Sequence, residues 1–227
     1  MQQLMWRGLP IPWLRRTLGA VACGMALLAG AAIAQGQDLQ LVTRVEEDWV
    51  LEVGTPDPEL GTPEIVNVLT PTGDLNSEYA VFELNHGSLH TYRAGGLQLQ
   101  GWRGEQEQSV RESDTFNRLA TPDETVSYTL AMRLTGGALQ LEVLNGQSTT
   151  WGAFGSDEQL KLTLTTNLPT LVGYRPDNSV QHSRVNYAKH KVKRFTLHQV
   201  RYYVGDQLVA TDEQERVVHE HSTTEGG

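Results

Sequence analysis

Cysteine is all but missing from this chain. Cys23 is the only one in 227 residues, and it lies inside the apolar N-terminal run, which continues past it. The remainder can form no disulfide and offers no thiol to a metal. A hydrophobic core alone must hold it together, which a chain of this length can supply. Basic residues are scarce too. Of 18 Lys and Arg, three (Arg7, Arg15, Arg16) fall within residues 1–34, which contain none of the 27 Asp and Glu. The rest then carries 15 − 27 = −12 formal charges. So acidic a surface repels nucleic acid and anionic lipid, so neither is expected as a partner. Linker-like Pro/Ser tracts, internal repeats and a second long apolar run are lacking as well. Nor does any stretch show a sustained helical stripe with caps, and the length suits one domain.

The N-terminus reads as an export signal. Arg7, Arg15 and Arg16 make a basic start, Thr17 to Ile33 run apolar and small, and Ala32-Ile33-Ala34 supplies an A-x-A cleavage pattern before Gln35. Those are the three parts of a secretory signal. The apolar run is short for a membrane span, which needs roughly 20 apolar residues, so no span is expected after cleavage. The expected organisation is a signal peptide over 1–34, a lead-in over 35–44, a β domain over 45–212 and a polar tail over 213–227, which from His219 on has no core-facing residue and is expected to fray. The protein is expected to be secreted, periplasmic or on the surface of a bacterium.

Period-two alternation recurs along the rest. Trp49, Leu51 and Val53 alternate with Val50 and Glu52; Leu97 and Leu99 with Gln98 and Gln100; Tyr128, Leu130, Met132 and Leu134 with Thr129, Ala131 and Arg133. Leu139, Leu141 and Val143, then Leu160, Leu162 and Leu164, repeat the pattern. A last long run from Phe195 turns at Gly205-Asp206. Alternation of this kind marks strands with one buried face. Gly136-Gly137 and Asn145-Gly146 both read as hairpin turns. The expected fold is all-β, an antiparallel two-sheet sandwich of jelly-roll type.

Three segments carry a resemblance. They are Tyr128 to Leu134 with its Gly-Gly turn, Leu139 to Gly146, and the closing strand Val200-Arg201-Tyr202-Tyr203. In these the chain resembles the concanavalin A-like lectin/glucanase superfamily, including its laminin G-like members. The resemblance implies a curved lectin-like jelly roll and, in many relatives, carbohydrate binding on the concave face or loop rim. It does not imply catalysis, because the Glu-x-Asp-x-x-Glu strand of the glucanase members is absent.

A polar face is the main candidate site. Gln98, Gln100 and Trp102 share one side of a strand, Glu83 and Asn85 one side of another, and Gln140 and Glu142 one side of the later hairpin. If these strands are neighbours, they present amides, carboxylates and one indole together. Sugar hydroxyls both donate and accept, and an indole packs on the C–H face of a sugar ring. The alternative is an ordinary solvated sheet face. Glu83 and Glu142 are a candidate carboxyl pair for glycoside hydrolysis. Gln100, His198 and Tyr202 are a candidate set for lyase chemistry. Trp151 to Gly155 reads as a core Trp anchoring a loop, with a stacking platform shared with Tyr174 as its functional alternative. Lys189 to Arg194 is the one basic run, suited to a solvated turn or strand edge, or to an acidic polysaccharide.

No metal or cofactor is expected. His86 and His90 stand four apart, but Gly87 and Ser88 between them indicate a loop. His182, His190 and His198 recur every eighth residue on segments read as strands, and none has evident further ligands. Gly104 to Glu124 reads as a long polar loop, with Asp114, Asp123 and Glu124 as the oxygen ligands calcium takes. Three functions fit. One is a secreted lectin-like module, non-catalytic, that binds carbohydrate or another extracellular polymer. The others are a polysaccharide-cleaving hydrolase or lyase on the same fold, and a structural envelope or matrix domain. The oligomeric state is left open.

Intact-mass analysis of the protein recovered outside the cytoplasm is expected to give a chain beginning near Gln35. A mass that retains residues 1–34 contradicts cleavage.

Overall fold

A computed structural model describes residues 39–55, 62–86, 95–114, 116–119 and 121–221. The export signal, the first residues of the lead-in and His90 lie outside the described residues. The alternating runs become strands: β1 (Arg44–Val53), β2 (Ile65–Leu69), β3 (Glu78–Leu84), β4 (Leu97–Arg103) and β5 (Gln106–Glu112). They continue with β6 (Thr125–Thr135), β7 (Ala138–Ser148), β8 (Gly152–Phe154), β9 (Lys161–Thr165) and β10 (Arg184–Val185). The last are β11 (Val192–Val204), β12 (Gln207–Asp212) and β13 (Arg216–Glu220), and α1 (Pro176–His182) precedes β10. Every pairing among them is antiparallel.

Two sheets result. The larger has eight strands in the order β12-β11-β1-β6-β7-β8, with β13 also on β11 and β9 also on β7. The smaller has five, in the order β10-β2-β3-β4-β5. This is a two-sheet β-sandwich. Its core is the apolar side of each alternation: Val45, Trp49, Leu51, Leu130, Leu141 and Leu197 from the larger sheet meet Ile65, Phe82, Leu84 and Leu99 from the smaller. Phe82 meets Tyr128 edge-on at 5.1 Å across the two sheets, and Trp49 packs on Phe195 at 5.0 Å. Gly101 marks the closest approach. A Cβ there would stand 2.8 Å from a Leu162 methyl and 2.9 Å from one of Leu164, so β4 lies against β9 only because residue 101 has no side chain.

Turn chemistry explains the connections and two corrections. Gly136 and Gly137 both have positive φ and join β6 to β7 as a two-residue hairpin, the conformation that favours glycine at both positions. Asn145-Gly146 is not a hairpin. β7 runs straight through it, and the register with β6 slips there, between Ser127↔Gln147 and Thr129↔Leu144. A Cβ on Gly146 would overlap the Phe154 ring, so that glycine serves packing rather than a turn. The polar stretch after Gly104 is also not a continuous loop. Gln106–Glu112 forms β5, the edge strand of the smaller sheet, exposed along most of its length.

The C-terminal tail is likewise shorter than expected. β13 pairs with β11 from Arg194↔Glu220 to Leu197↔Arg216, and Val218 packs against the core. Arg216 anchors it by donating to Asp177 at 2.7 Å and Asp212 at 2.8 Å. His182 ends α1 and His190 sits in a 3-10 turn, so only His198 of that series is on a strand. No helix among the described residues is long and apolar enough to cross a membrane.

One polar group interrupts the core. Glu47 is on the inward side of β1, in phase with Val45, Trp49 and Leu51, and is fully buried. Tyr174 donates to Oε1 at 2.7 Å and Trp49 Nε1 to Oε2 at 2.9 Å, and Ser179 of α1 also donates to Oε1. Past Ser179, the Ser183 hydroxyl accepts the Val68 amide at 2.9 Å and lies 2.9 Å from Asn67 Oδ1. Asn67 Nδ2 in turn donates to the Tyr128 hydroxyl at 2.9 Å. Burial pushes the Glu47 carboxyl up to about 7 from its ordinary 4.5, against the pull of its three donors and Arg216. On the opposite side of β1, Asp48 is held below its ordinary value. Its own desolvation is outweighed by Arg201, Thr129 and Gln199, which all donate to it.

The native state holds the Glu47 proton to higher pH than the unfolded chain, so its contribution is full below pH 4.5 and is lost as pH rises to about 7. The loss is of order 3 kcal/mol. Stability measured by urea melts is expected to fall between pH 5 and pH 8. Glu47→Gln is expected to flatten that fall, because the amide is neutral throughout and can keep its oxygen toward Trp49 Nε1 while its NH2 meets the Tyr174 and Ser179 hydroxyls. His86, whose pKa is raised chiefly by its bond to Glu83, titrates with the same sign in both proteins, so their difference isolates Glu47. An equal slope in the two proteins contradicts the assignment.

Candidate functional site

The expected polar face divides between the two sheets. β3 and β4 pair without interruption, placing Tyr79 beside Trp102, Val81 beside Gln100 and Glu83 beside Gln98. The register slip at Gly101/Trp102 is between β4 and β5, where Gln108 is the extra residue. Trp102 therefore keeps the phase of Gln98 and Gln100, on the side of the smaller sheet away from the core. Gln140 and Glu142 alternate with the inward Leu139, Leu141 and Val143 of β7, so they lie on the outer side of the larger sheet. There Gln140 Nε2 donates to Glu142 at 3.2 Å. The whole core separates them from Glu83.

Three expectations are corrected by this placement. Glu83 and Glu142 face opposite ways on different sheets and cannot flank one glycosidic bond, which needs carboxyls no more than about 9.5 Å apart across an open site. Gln100, His198 and Tyr202 do not converge either. Gln100 belongs to the smaller sheet, whereas His198 is the bulged residue of β11 in the larger, and Tyr202 turns toward the core beside Tyr174. Asn85 leaves the face altogether. It follows the last residue of β3 with φ of 60°, which ends the alternation, and it is 0% exposed. Its amide donates to Thr62 Oγ1 and Pro63 O, both at 2.7 Å, and its oxygen accepts the Leu119 amide at 3.1 Å. It clamps three loops together.

What remains on the smaller sheet is continuous. Trp102 Nε1 donates to Gln100 Oε1 at 2.8 Å, Gln100 Nε2 donates to Gln98 Oε1, and Gln98 Nε2 donates to Glu112 on β5. Gln100 Nε2 also lies 3.5 Å from Glu83 Oε2, which is bonded to His86 Nδ1. Gln98 is only 6% exposed and acts from beneath by orienting Gln100 and Glu112. The Tyr79 and Trp102 rings stand 6.4 Å apart at 13°, nearly parallel, and the Tyr79 hydroxyl is tied to Gly104 O at 3.0 Å. Both rings are half-buried. Tyr79, Glu112 and His86 were not among the expected residues. Tyr79 shares the parity of Glu83, a signal already in the sequence, but Glu112 and His86 join only through strand pairing and a turn.

The other candidates are structural. Trp151 is 7% exposed and donates from Nε1 to Asn117 O at 2.8 Å, holding its loop to the core as expected. Tyr174 is buried on Glu47 rather than at a rim. Glu124 accepts the Ser148 and Thr150 hydroxyls, Asp123 pairs with Lys193, and Asp114 accepts from Gln159. These three carboxylates thus share no partner. In the basic run Lys193 pairs with Asp123 and Arg194 with Glu215. On the outer side of the larger sheet, Arg201 spends all three guanidinium nitrogens on Glu46 and Asp48. That side is a self-satisfied ion network with few free donors. Set against family models, curated proteins and solved structures, the chain matches none of them.

Proposed function

We propose that this chain is an exported, non-catalytic module that binds carbohydrate through the outer face of its smaller sheet. The observation that carries the reading is the near-parallel Tyr79 and Trp102 pair bordered by Gln100, Glu83 and Glu112. Two stacked, half-buried rings offer apolar ring surface beside the polar row, onto which the C–H groups of a sugar pack. The amide and carboxylate groups along its border supply acceptors and donors at fixed positions for hydroxyls. Their mutual hydrogen bonds hold the row in place before a ligand arrives, which lowers the ordering cost of binding. With Glu83 and Glu142 on separate sheets, the reading needs no carboxyl pair around a scissile bond.

Affinity gels cast with neutral and acidic polysaccharides test it. The wild-type protein is expected to be retarded by at least one of them, and Trp102→Ala is expected to migrate as in a gel without polysaccharide. That variant loses one aromatic pair and is expected to cost about 1 kcal/mol in a urea melt. Trp49→Ala serves as the core control and is expected to cost about 3–5 kcal/mol. Retardation unchanged in Trp102→Ala overturns the assignment of the face. Absence of retardation in every gel favours a structural envelope role, and reducing-sugar release from a retained polysaccharide moves the protein to the enzymes.

A further inference from the structure

We propose that Glu64, Glu83 and His86 form a binding site for one divalent transition-metal ion, of which Zn²⁺ is the representative. One ligand atom from each of the three lies within 4.8 Å of the others. Ligands about 2.0–2.2 Å from a tetrahedral zinc stand roughly 3.5 Å from one another, so an ion would part the hydrogen-bonded atoms of His86 and Glu83 slightly and would find Glu64 already within reach. The three come from separate places. Glu64 immediately precedes β2, Glu83 is on β3 opposite Val66, and His86 follows the turn at Asn85. The left-handed backbone of Asn85 returns the imidazole to Glu83, so that Nδ1 and Oε2 meet.

The group is more than a patch of acid. Surface carboxylates cluster commonly, but here an imidazole is gathered with two of them, and one of the two, Glu64, is 6% exposed. Imidazole with carboxylate is the donor set that zinc, manganese and iron accept, whereas calcium and magnesium take oxygen alone. The carboxylates are also oriented from behind. Asn186 Nδ2 donates to Glu64 Oε2 at 3.0 Å and the Asn186 amide to Glu64 O at 2.8 Å, while Gln100 Nε2 reaches Glu83 Oε2 at 3.5 Å. Outer hydrogen bonds of this kind fix ligating carboxylates around metals.

Charge favours a cation as well. Glu64, Glu83 and Glu112 all bear on His86, and among the described residues no Lys or Arg forms an ion pair with Glu83 or Glu112. A metal ion would take the place of the hydrogen shared by His86 and Glu83. Three protein ligands leave a fourth position for water or a ligand oxygen. The site stands independently of the carbohydrate reading, because its test contains no polysaccharide.

The full chain, stripped with EDTA and dialysed free of it, is titrated calorimetrically with Zn²⁺. One equivalent is expected to bind, and Zn²⁺ is expected to raise the melting temperature where equal Ca²⁺ and Mg²⁺ do not. His86→Ala and Glu64→Gln are each expected to weaken binding at least tenfold. A protein with both His219→Ala, on β13, and His221→Ala, just past it, lacks the other closely spaced histidine pair among the described residues and is expected to bind as the wild type does. Metal-free melts establish that each variant is folded, and the near-isosteric Glu64→Gln decides if His86→Ala does not fold. Absence of stoichiometric binding overturns the proposal. So does affinity undiminished by the deciding variant, or affinity lost only with His219 and His221.

Discussion

The buried carboxyl of Glu47 is the constraint around which the sandwich is arranged. A charged or polar group on the inner face of a strand is tolerable only if donors reach it. Tyr174, Ser179 and Trp49 are those donors, and only Trp49 is on the same strand. The segment between β9 and β10 must therefore fold inward, and α1 must lie where Ser179 can reach Oε1. Once α1 is there, Ser183 meets Val68 and Asn67, and Asn67 meets Tyr128 of the facing sheet. A single acidic residue so fixes the helix, the edge of the smaller sheet and the spacing between the two sheets.

The outer faces are consequences of that inner arrangement. β3 and β4 keep an unbroken register because Gly101 lets β4 settle against β9 with no compensating slip on the β3 side. The unbroken register puts Tyr79 beside Trp102 and Glu83 beside Gln98. The slip needed somewhere is taken up by Gln108 on the outermost strand, where it disturbs no further neighbour. On the other side of the molecule, the residues of β1 that alternate with its core positions are consumed by Arg201 and Tyr203. The two outer surfaces thus differ in kind: one closes its charges on itself, and the other leaves rings and amides facing outward.

Parity was readable in the sequence, and partnership was not. Leu97 and Leu99 fix the outward direction of Gln98, Gln100 and Trp102, and the Gly136-Gly137 turn announces itself because few other residues accept positive φ twice in succession. Asn145-Gly146 has the same letters and another role, since its glycine answers to Phe154, a contact no local pattern records. β5 was missed because Gln-Glu-Gln-Ser-Val-Arg-Glu has no apolar side, as befits an edge strand with little to bury. β13 was missed because Val217 and Val218 are too few to show a period. Glu142 and Glu83 share a parity rule but not a sheet, and sheet membership is decided by long-range pairing. Glu47 was legible in principle. A glutamate two residues before Trp49, in phase with Val45 and Leu51, is an acid pointing into the core.

The polar edge strand has a colloidal consequence. An unpaired strand invites the matching edge of a second copy, and sheets joined this way grow without limit. β5 presents Glu107, Arg111 and Glu112 along that edge, with a bulge at Gln108 that twists its hydrogen-bonding row out of line. Two copies brought edge to edge would have to desolvate these charged side chains and pair across a mismatched spacing at once. Neighbouring copies are thereby kept from fusing into one continuous sheet through β5.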